Sequence, residues 1–342
     1  RHLRILLRRP RPPRRPPIPA PIPMRIGLVA NPSSGRGRHN GAAEASRRAL
    51  LGAGHDVLLV EGAHYEDARA CATGLLEDAR GLDALVVVGG DGMVHLGLDV
   101  VARTGVPLGL IAVGTGNDIA RHLGLPGGDV GACAQVIDDA LRGRGRVRDL
   151  DAIHAARPDG APVADAHEWS FAVAGFGLDA AVNVRANAMR RPRGESRYLC
   201  AIPLEMRDMT PYGYRIVTDA GAWEGEALLL VAANTRYIGG GLDIAPQADP
   251  ADGLLEIIRL DPVGRLGLLA HLARLRRGAH LGHPGVHCER SRALTVEALE
   301  AAPGRRIPPH PMADGEAIAD LPLRLEAVPG AVRMLCPAER AT

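Results

Sequence analysis

The sequence predicts a two-part α/β chain: a mainly parallel α/β half, then an antiparallel, β-sandwich-like half, with the working site in the cleft between them. Three observations predict it. From Arg25 to Arg142 short apolar runs alternate with helical patterns, the grammar of a parallel sheet covered on both faces. Three of those runs end in polar, glycine-rich turns that open helices. From Arg148 onward, short segments broken by Gly, Pro and Asp turns replace that pattern, which suits antiparallel strands.

Taken in order, residues 1–23 are mostly arginine and proline, a composition that predicts a disordered extension. Arg25–Ala30 reads as the first strand. The turn Asn31-Pro32-Ser33-Ser34-Gly35-Arg36-Gly37-Arg38 follows, then a helix from Gly41 to Leu51. A polar glycine turn with two arginines between a strand and a helix suits an anion, although a capped loop with solvated arginines looks the same. His55–Val60 and Tyr65–Asp78 form the second strand and helix.

Ala84–Val88 is a continuous apolar run, as in a strand buried on both faces. Gly89-Gly90-Asp91-Gly92 follows, where missing Cβ atoms let a ligand approach the backbone. From Met93 a helical pattern runs to Arg103. An acid in a phosphate-binding turn suggests chemistry, so Asp91 is a candidate to hold Mg²⁺ or to orient a proton donor. The device repeats: Pro107–Val113 is a strand, Gly114-Thr115-Gly116 a turn, and Asn117 or Asp118 can cap a helix through Arg121. Either turn alone is equally well an ordinary tight connection. The pair, each with an acid and both at the carboxyl edge of one sheet, favours a phosphate site. Val130–Arg142 is a further helix, and Arg142–Arg148 a hinge. The expected domains are therefore 24–147 and 148–342, with the extreme C-terminus packing back on the first.

Strand candidates in the second half are Arg148–His154, Glu168–Val173, Tyr214–Thr218, Glu224–Ala232, Gly253–Arg259, Leu294–Glu297 and Leu321–Ala327. Two helices interrupt them, near Ala181–Met209 and near Arg265–Arg277. The second carries Arg265, Arg274, Arg276 and Arg277, which reads as a solvated face or as a helix lying on a membrane. Three clusters carry candidate chemistry. Gly175-Phe176-Gly177-Leu178-Asp179 ends a strand and opens a helix. Asp249-Pro250-Ala251-Asp252-Gly253-Leu254 offers oxygen ligands to a hard cation, or is a plain turn. Asp314-Gly315-Glu316 precedes the final strand.

Composition narrows the chemistry. All 41 basic residues are arginine, so no lysine can serve as phosphate clamp, Schiff base or general base. The formal net charge of +2 demands no nucleic acid. Five scattered cysteines without a Cys-x-x-Cys read as reduced thiols. No apolar run approaches the length of a membrane span.

Gly-Gly-Asp-Gly-Met and Gly-Thr-Gly-Asn-Asp-Ile-Ala-Arg resemble the signature blocks of the diacylglycerol kinase catalytic family, which includes bacterial soluble lipid kinases and sphingosine kinases. The resemblance runs from about Met24 to the C-terminus. It implies ATP and Mg²⁺ as cofactors. It places Asn31, Pro32, Ser33, Ser34, Gly35, Gly89, Gly90, Asp91, Gly92, Met93, His95, Thr115, Gly116 and Asn117 at the nucleotide. It places Asp118, Arg121 and Asp179 in the substrate cleft, and a structural Mg²⁺ at Asp249, Asp252 and the carbonyl of Leu254. Glu316 or Asp314 would be the base, with Asp91 also catalytic. Met93 stands where the family usually has threonine and His95 where it usually has asparagine. Gly62 lies near a threonine position that touches nucleotide, so that contact is not carried over.

The expectation is an ATP-dependent lipid kinase, acting on diacylglycerol to give phosphatidic acid. It would work in the cytoplasm, peripheral to the inner membrane face, with the lipid as partner; a homodimer is compatible with the sequence. One alternative is a soluble-substrate kinase of the NAD kinase type, which shares the first turn but would not carry the second and would show a Gly-Ser-Thr-Ala-Tyr block. The other is a non-catalytic nucleotide- or lipid-binding homologue.

Overall fold

The computed structural model describes residues 22–30, 41–163, 167–189, 191 and 196–338, without the side chains of Ser196, Leu199 and Asp208. The Arg/Pro-rich segment through residue 21 and the whole Asn31–Gly35 turn lie outside the described residues.

The first half contains β1 (Arg25–Ala30), α1 (Ala42–Gly52), β2 (Asp56–Glu61), α2 (Tyr65–Glu77), β3 (Ala84–Gly89), α3 (Asp91–Val101), β4 (Leu108–Ala112), α4 (Asp118–Leu123) and α5 (Val130–Leu141). Strands β2, β1, β3 and β4 pair in parallel in that order. Every residue of β3 and β4 is buried, as their continuous apolar runs require when helices cover both faces. Asp129 caps α5 by accepting a hydrogen bond from the Ala132 N–H at 3.0 Å.

The second half contains β5 (Arg146–Ala156), β6 (Trp169–Ser170), β7 (Val173–Gly175), α6 (Leu178–Ala188), α7 (Ser196–Glu205), β8 (Tyr212–Thr218), β9 (Gly221–Ala227), β10 (Leu229–Ala233), β11 (Tyr237–Ile238), β12 (Leu242–Asp243), β13 (Leu255–Leu260), α8 (Arg265–Leu275), β14 (Val286–Ser291), β15 (Ala293–Ala298), β16 (Met312–Ala313), β17 (Glu316–Ala317) and β18 (Leu323–Cys336). One sheet runs β14-β13-β10-β7-β16-β17 and is antiparallel throughout. Apart from the two-stranded β11–β12 pair, the other antiparallel strands extend the parallel sheet: β18 lies beside β4, followed by β15, β8 and β9, with β5 also paired to β18. Leu294, Leu325 and Val296 from this sheet pack with Leu230, Leu255 and Ala174 from the other.

Four sequence expectations change. Glu168–Val173 is not one strand: β6 and β7 belong to different sheets. The N–H groups of Phe171, Ala172 and Val173 donate to the distant Asp314 carboxylate and not to a neighbouring strand. Glu224–Ala232 likewise divides into β9 and β10, with the buried Leu228 at the crossing. Its composition shifts there from alternating to continuously apolar. The helix expected over Ala181–Met209 is two helices, with Pro192 and Gly194 in the sequence between them. The final strand reaches Cys336 rather than stopping at Ala327, and Val286–Ser291 is a strand that alternation alone did not reveal.

Candidate active site

The two glycine turns described by the structure meet. An ideal Cβ on Gly114 would lie 2.4 Å from Gly90 Cα, so only glycine permits this approach. Asp91 then ties the turns together: its carboxylate accepts the N–H groups of Asp118 at 3.1 Å and Ile119 at 3.0 Å, capping α4 from the neighbouring turn. Those two N–H groups are therefore committed, and an anion in the second turn would meet Thr115 and Gly116 ahead of the helix. Asn117 occupies the N-cap position with φ 50°, but its amide donates to Gly114 O at 2.8 Å instead of capping. Asp118 extends the network by accepting from Gly240 N–H at 2.8 Å and pairing with Arg121, whose guanidinium lies 5.7 Å from the centre of the Tyr237 ring.

The other wall comes from the second half. Asp314 sits at φ 51° with its side chain fully buried, holding the crossover at Phe171–Val173. Two residues on, Glu316 reaches the first turn: an ideal Cβ on Gly92 would be 3.2 Å from Glu316 Oε1. Asn187 steadies this hairpin through a 2.9 Å hydrogen bond to Gly315 O. Asp179 begins α6 and presses on β7 so closely that any side chain at Gly175 would collide with its carboxylate.

One cavity of about 1040 Å³ joins these groups. Its polar lining includes Gly89–Met93, Gly114–Gly116, Asp118, Asp179, Asp314 and Glu316. Its apolar lining includes Leu178 and Val182 of α6, Ile202 of α7, and Leu268, Leu272 and Leu275 of α8. Burial shapes the acids. It pushes Asp179 up to about 7, against hydrogen bonds from the N–H groups of Gly177, Asp179 and Ala180. It raises Asp91 to about 6, helped by the Asp118 charge and opposed by the N–H groups of Ile119 and Asp118. Glu316 is also raised by burial, with His95, His167 and Arg197 opposing.

With this geometry in place, likeness to known proteins is informative. Residues 25–149 match the family model of the diacylglycerol kinase catalytic domain. Residues 172–336 match that of the YegS C-terminal NAD kinase beta sandwich-like domain. A diacylglycerol kinase of Mycobacterium tuberculosis (strain ATCC 25618 / H37Rv) is 36% identical over 318 residues, covering 92% of this chain and 95% of its own. The chain belongs to the diacylglycerol kinase family of lipid kinases. A Pseudomonas aeruginosa (strain UCBPP-PA14) relative named "Probable lipid kinase YegS-like" is 30% identical over 268 residues, 76% of this chain and 78% of its own. The crystal structure of a diacylglycerol kinase from Bacillus anthracis str. Sterne shares the fold, with a TM-score of 0.64 at 18% identity over 92% of this chain and 97% of its own.

The lipid kinase chain brings together most, not all, of the residues its motifs suggest. His95, expected at the nucleotide, is fully buried behind the first turn and does not line the cavity. Met93 does line it, while burying all but 4% of its surface. The expected Mg²⁺ ligands have other partners. Asp249 accepts from Ala251 N–H, and Asp252 accepts from Leu254 N–H while pairing with Arg290. A cation held at this turn would take the place of the Arg290 guanidinium, whose side chain is nearly half exposed. Sequence reasoning missed Asn183 and Asn187, although they follow Asp179 at i+4 and i+8 and so share its face of α6, lining the cavity. It also missed Tyr65, Arg197 and Tyr198, which line the cavity without belonging to any motif. Among the described residues, no helix is long and apolar enough to cross a membrane.

Proposed function

We propose that this lipid kinase transfers the γ-phosphate of ATP to the hydroxyl of diacylglycerol, giving phosphatidic acid. The observation that carries the reading is that one cavity is lined at once by the glycine turns, by Glu316 and by the apolar side chains Leu178, Val182, Ile202, Leu268 and Leu272. Its volume of about 1040 Å³ suits a ligand larger than a nucleotide's phosphates alone. The apolar part of the lining favours acyl chains over the polar body of NAD, because each methylene buried against it contributes about 0.8 kcal/mol.

The residues divide the work. Backbone N–H groups of the two turns cradle the phosphates. Phosphoryl transfer depends mostly on positioning and charge neutralisation, which Mg²⁺ supplies when bound with the nucleotide. Asp91, the acid nearest both turns, is the residue suited to hold it through water. Glu316 accepts the proton of the lipid hydroxyl. Asp314 keeps the Glu316 hairpin in register, since its own oxygens are committed to three backbone N–H groups. The acceptor enters past α8, whose Leu266 and Leu269 are 84% and 51% exposed and whose charged residues are all arginine. That face suits the headgroup region of an anionic bilayer, so the protein works at a membrane surface.

Incubation with labelled ATP, Mg²⁺ and mixed micelles of a total lipid extract tests the reading. The expected product is phosphatidic acid, and Glu316→Gln should lower the rate by at least 10²-fold without lowering the melting temperature. Labelling of NAD instead of lipid, or full activity in Glu316→Gln, overturns it.

A further inference from the structure

Directly behind the cavity, a cluster of ligating side chains has no part in the chemistry above. His95 and Asp99 lie one turn apart on the same face of α3. His167 comes in from the connection that leads to β6. A ligand atom from each of the three lies within 4.8 Å of the others. His167 Nδ1 is 2.8 Å from Asp99 Oδ2, and the His95 and His167 rings meet edge-on with centroids 4.7 Å apart.

A second observation points to a missing ligand. The His95 side chain is 0% exposed, yet neither of its ring nitrogens has a hydrogen-bond partner. The nearest candidate, Asp314 Oδ2, stands 3.5 Å from Nδ1, too far for a sound hydrogen bond. A buried imidazole with both nitrogens idle is rare, because burial removes the water that would otherwise satisfy them.

We propose that His95, Asp99 and His167 bind one transition-metal dication of the Zn²⁺ or Co²⁺ class, separate from any metal that accompanies the nucleotide. Two imidazoles and one carboxylate are a borderline donor set that suits such an ion better than Mg²⁺. Ligands in a tetrahedral site with bonds of about 2.0–2.1 Å stand about 3.3 Å apart. The His167–Asp99 pair therefore opens by roughly half an ångström as His95 closes on the ion. Three protein ligands leave a fourth position for water, and the Tyr65 hydroxyl, which donates to Asp99 at 3.3 Å, holds that ligand's carboxylate in place. The ion would pin the chain entering β6 to α3.

The site does not depend on the proposed lipid chemistry, so it is tested by spectroscopy rather than turnover. Untagged protein is stripped with chelator, returned to excess Mg²⁺, and titrated with Co²⁺ while visible d–d absorption is recorded. One equivalent should bind with bands of a four-coordinate site, and Zn²⁺ should displace it. His167→Ala and Asp99→Asn should each weaken Co²⁺ binding at least tenfold. His167 is partly exposed, so its variant should fold; circular dichroism checks this, and His95→Asn provides a compact replacement inside the core. Absence of a saturable band at millimolar Co²⁺ overturns the proposal and leaves a buried His–Asp ion pair. Undiminished affinity in both His167→Ala and His95→Asn overturns it equally.

Discussion

Replacing Asp179 by asparagine separates what this carboxylate does for the fold from what it does for the substrate. Burial pushes its pKa from 3.8 up to about 7. The folded state therefore holds a proton that the unfolded chain has released between those values, and stability falls as pH rises through that window. Above about 7 the full penalty applies; below about 4 there is none. Some three pH units at about 1.36 kcal/mol each set an upper bound of about 4 kcal/mol. Asparagine keeps an oxygen to accept the Gly177 N–H, which donates to Asp179 Oδ1 at 3.2 Å, but carries no charge to desolvate. Asp179→Asn should thus raise the melting temperature by several degrees at pH 8 and by little at pH 4. Thermal melts at the two pH values measure it. Equal shifts at both, or a loss of stability at pH 8, would refute the claim that an ionised carboxylate is held against its preference. A parallel fall in lipid phosphorylation would show that the strain serves the site.

Other perturbations bear on the remaining parts of the site. Gly114→Ala places a methyl 2.4 Å from Gly90 Cα and 2.7 Å from Asn117 Oδ1, so the turns must part; the KM for ATP should rise at least tenfold, whereas Gly116→Ala, 3.3 Å from Asp91 Oδ2, should do less. Because Asp91 is raised to about 6 and Glu316 is raised by burial, kcat/KM should fall as pH drops through about 6. An acid limb at pH 4 or below would contradict the burial of both groups. The double variant Leu266→Asp, Leu269→Asp should reduce co-sedimentation with anionic vesicles at least tenfold while leaving the melting temperature and turnover of a short-chain lipid unchanged. Unaltered vesicle binding would remove α8 from the membrane contact.

The parallel sheet was legible because its signals are local. An apolar run as dense as Ala84–Val88 has one good use, and a glycine turn with an acid placed directly after it announces itself. The antiparallel half was only partly legible, because pairing there is decided by partners distant in sequence. Nothing near Phe171 says that its N–H will donate to Asp314, 143 residues away, yet that bond splits β6 from β7. The same limit hid the roles of acids at the site. Asp91 reads as a catalytic residue from its motif, and only the folded chain reveals it as the cap of α4. The apolar lining was invisible for a different reason: α6, α7 and α8 contribute one to three aliphatic side chains each, which in isolation look like ordinary core. His95 looked like a ligand contact because of its place in a motif, whereas helical periodicity turns it inward, one turn from Asp99.

Strand β18 carries a consequence for how the polypeptide emerges from the ribosome. Met334 sits beside Leu108 in the parallel sheet, and the same strand pairs along nearly all of β5. Until Leu323–Cys336 have been synthesised, β4 has an open flank and β5 lacks its long partner. The nascent N-terminal half is then a sheet with a vacant slot, a natural client for chaperones and a point where premature termination leaves a sticky remnant. Pulse-labelled chains halted before Leu323 should accordingly be degraded faster than those released after Cys336.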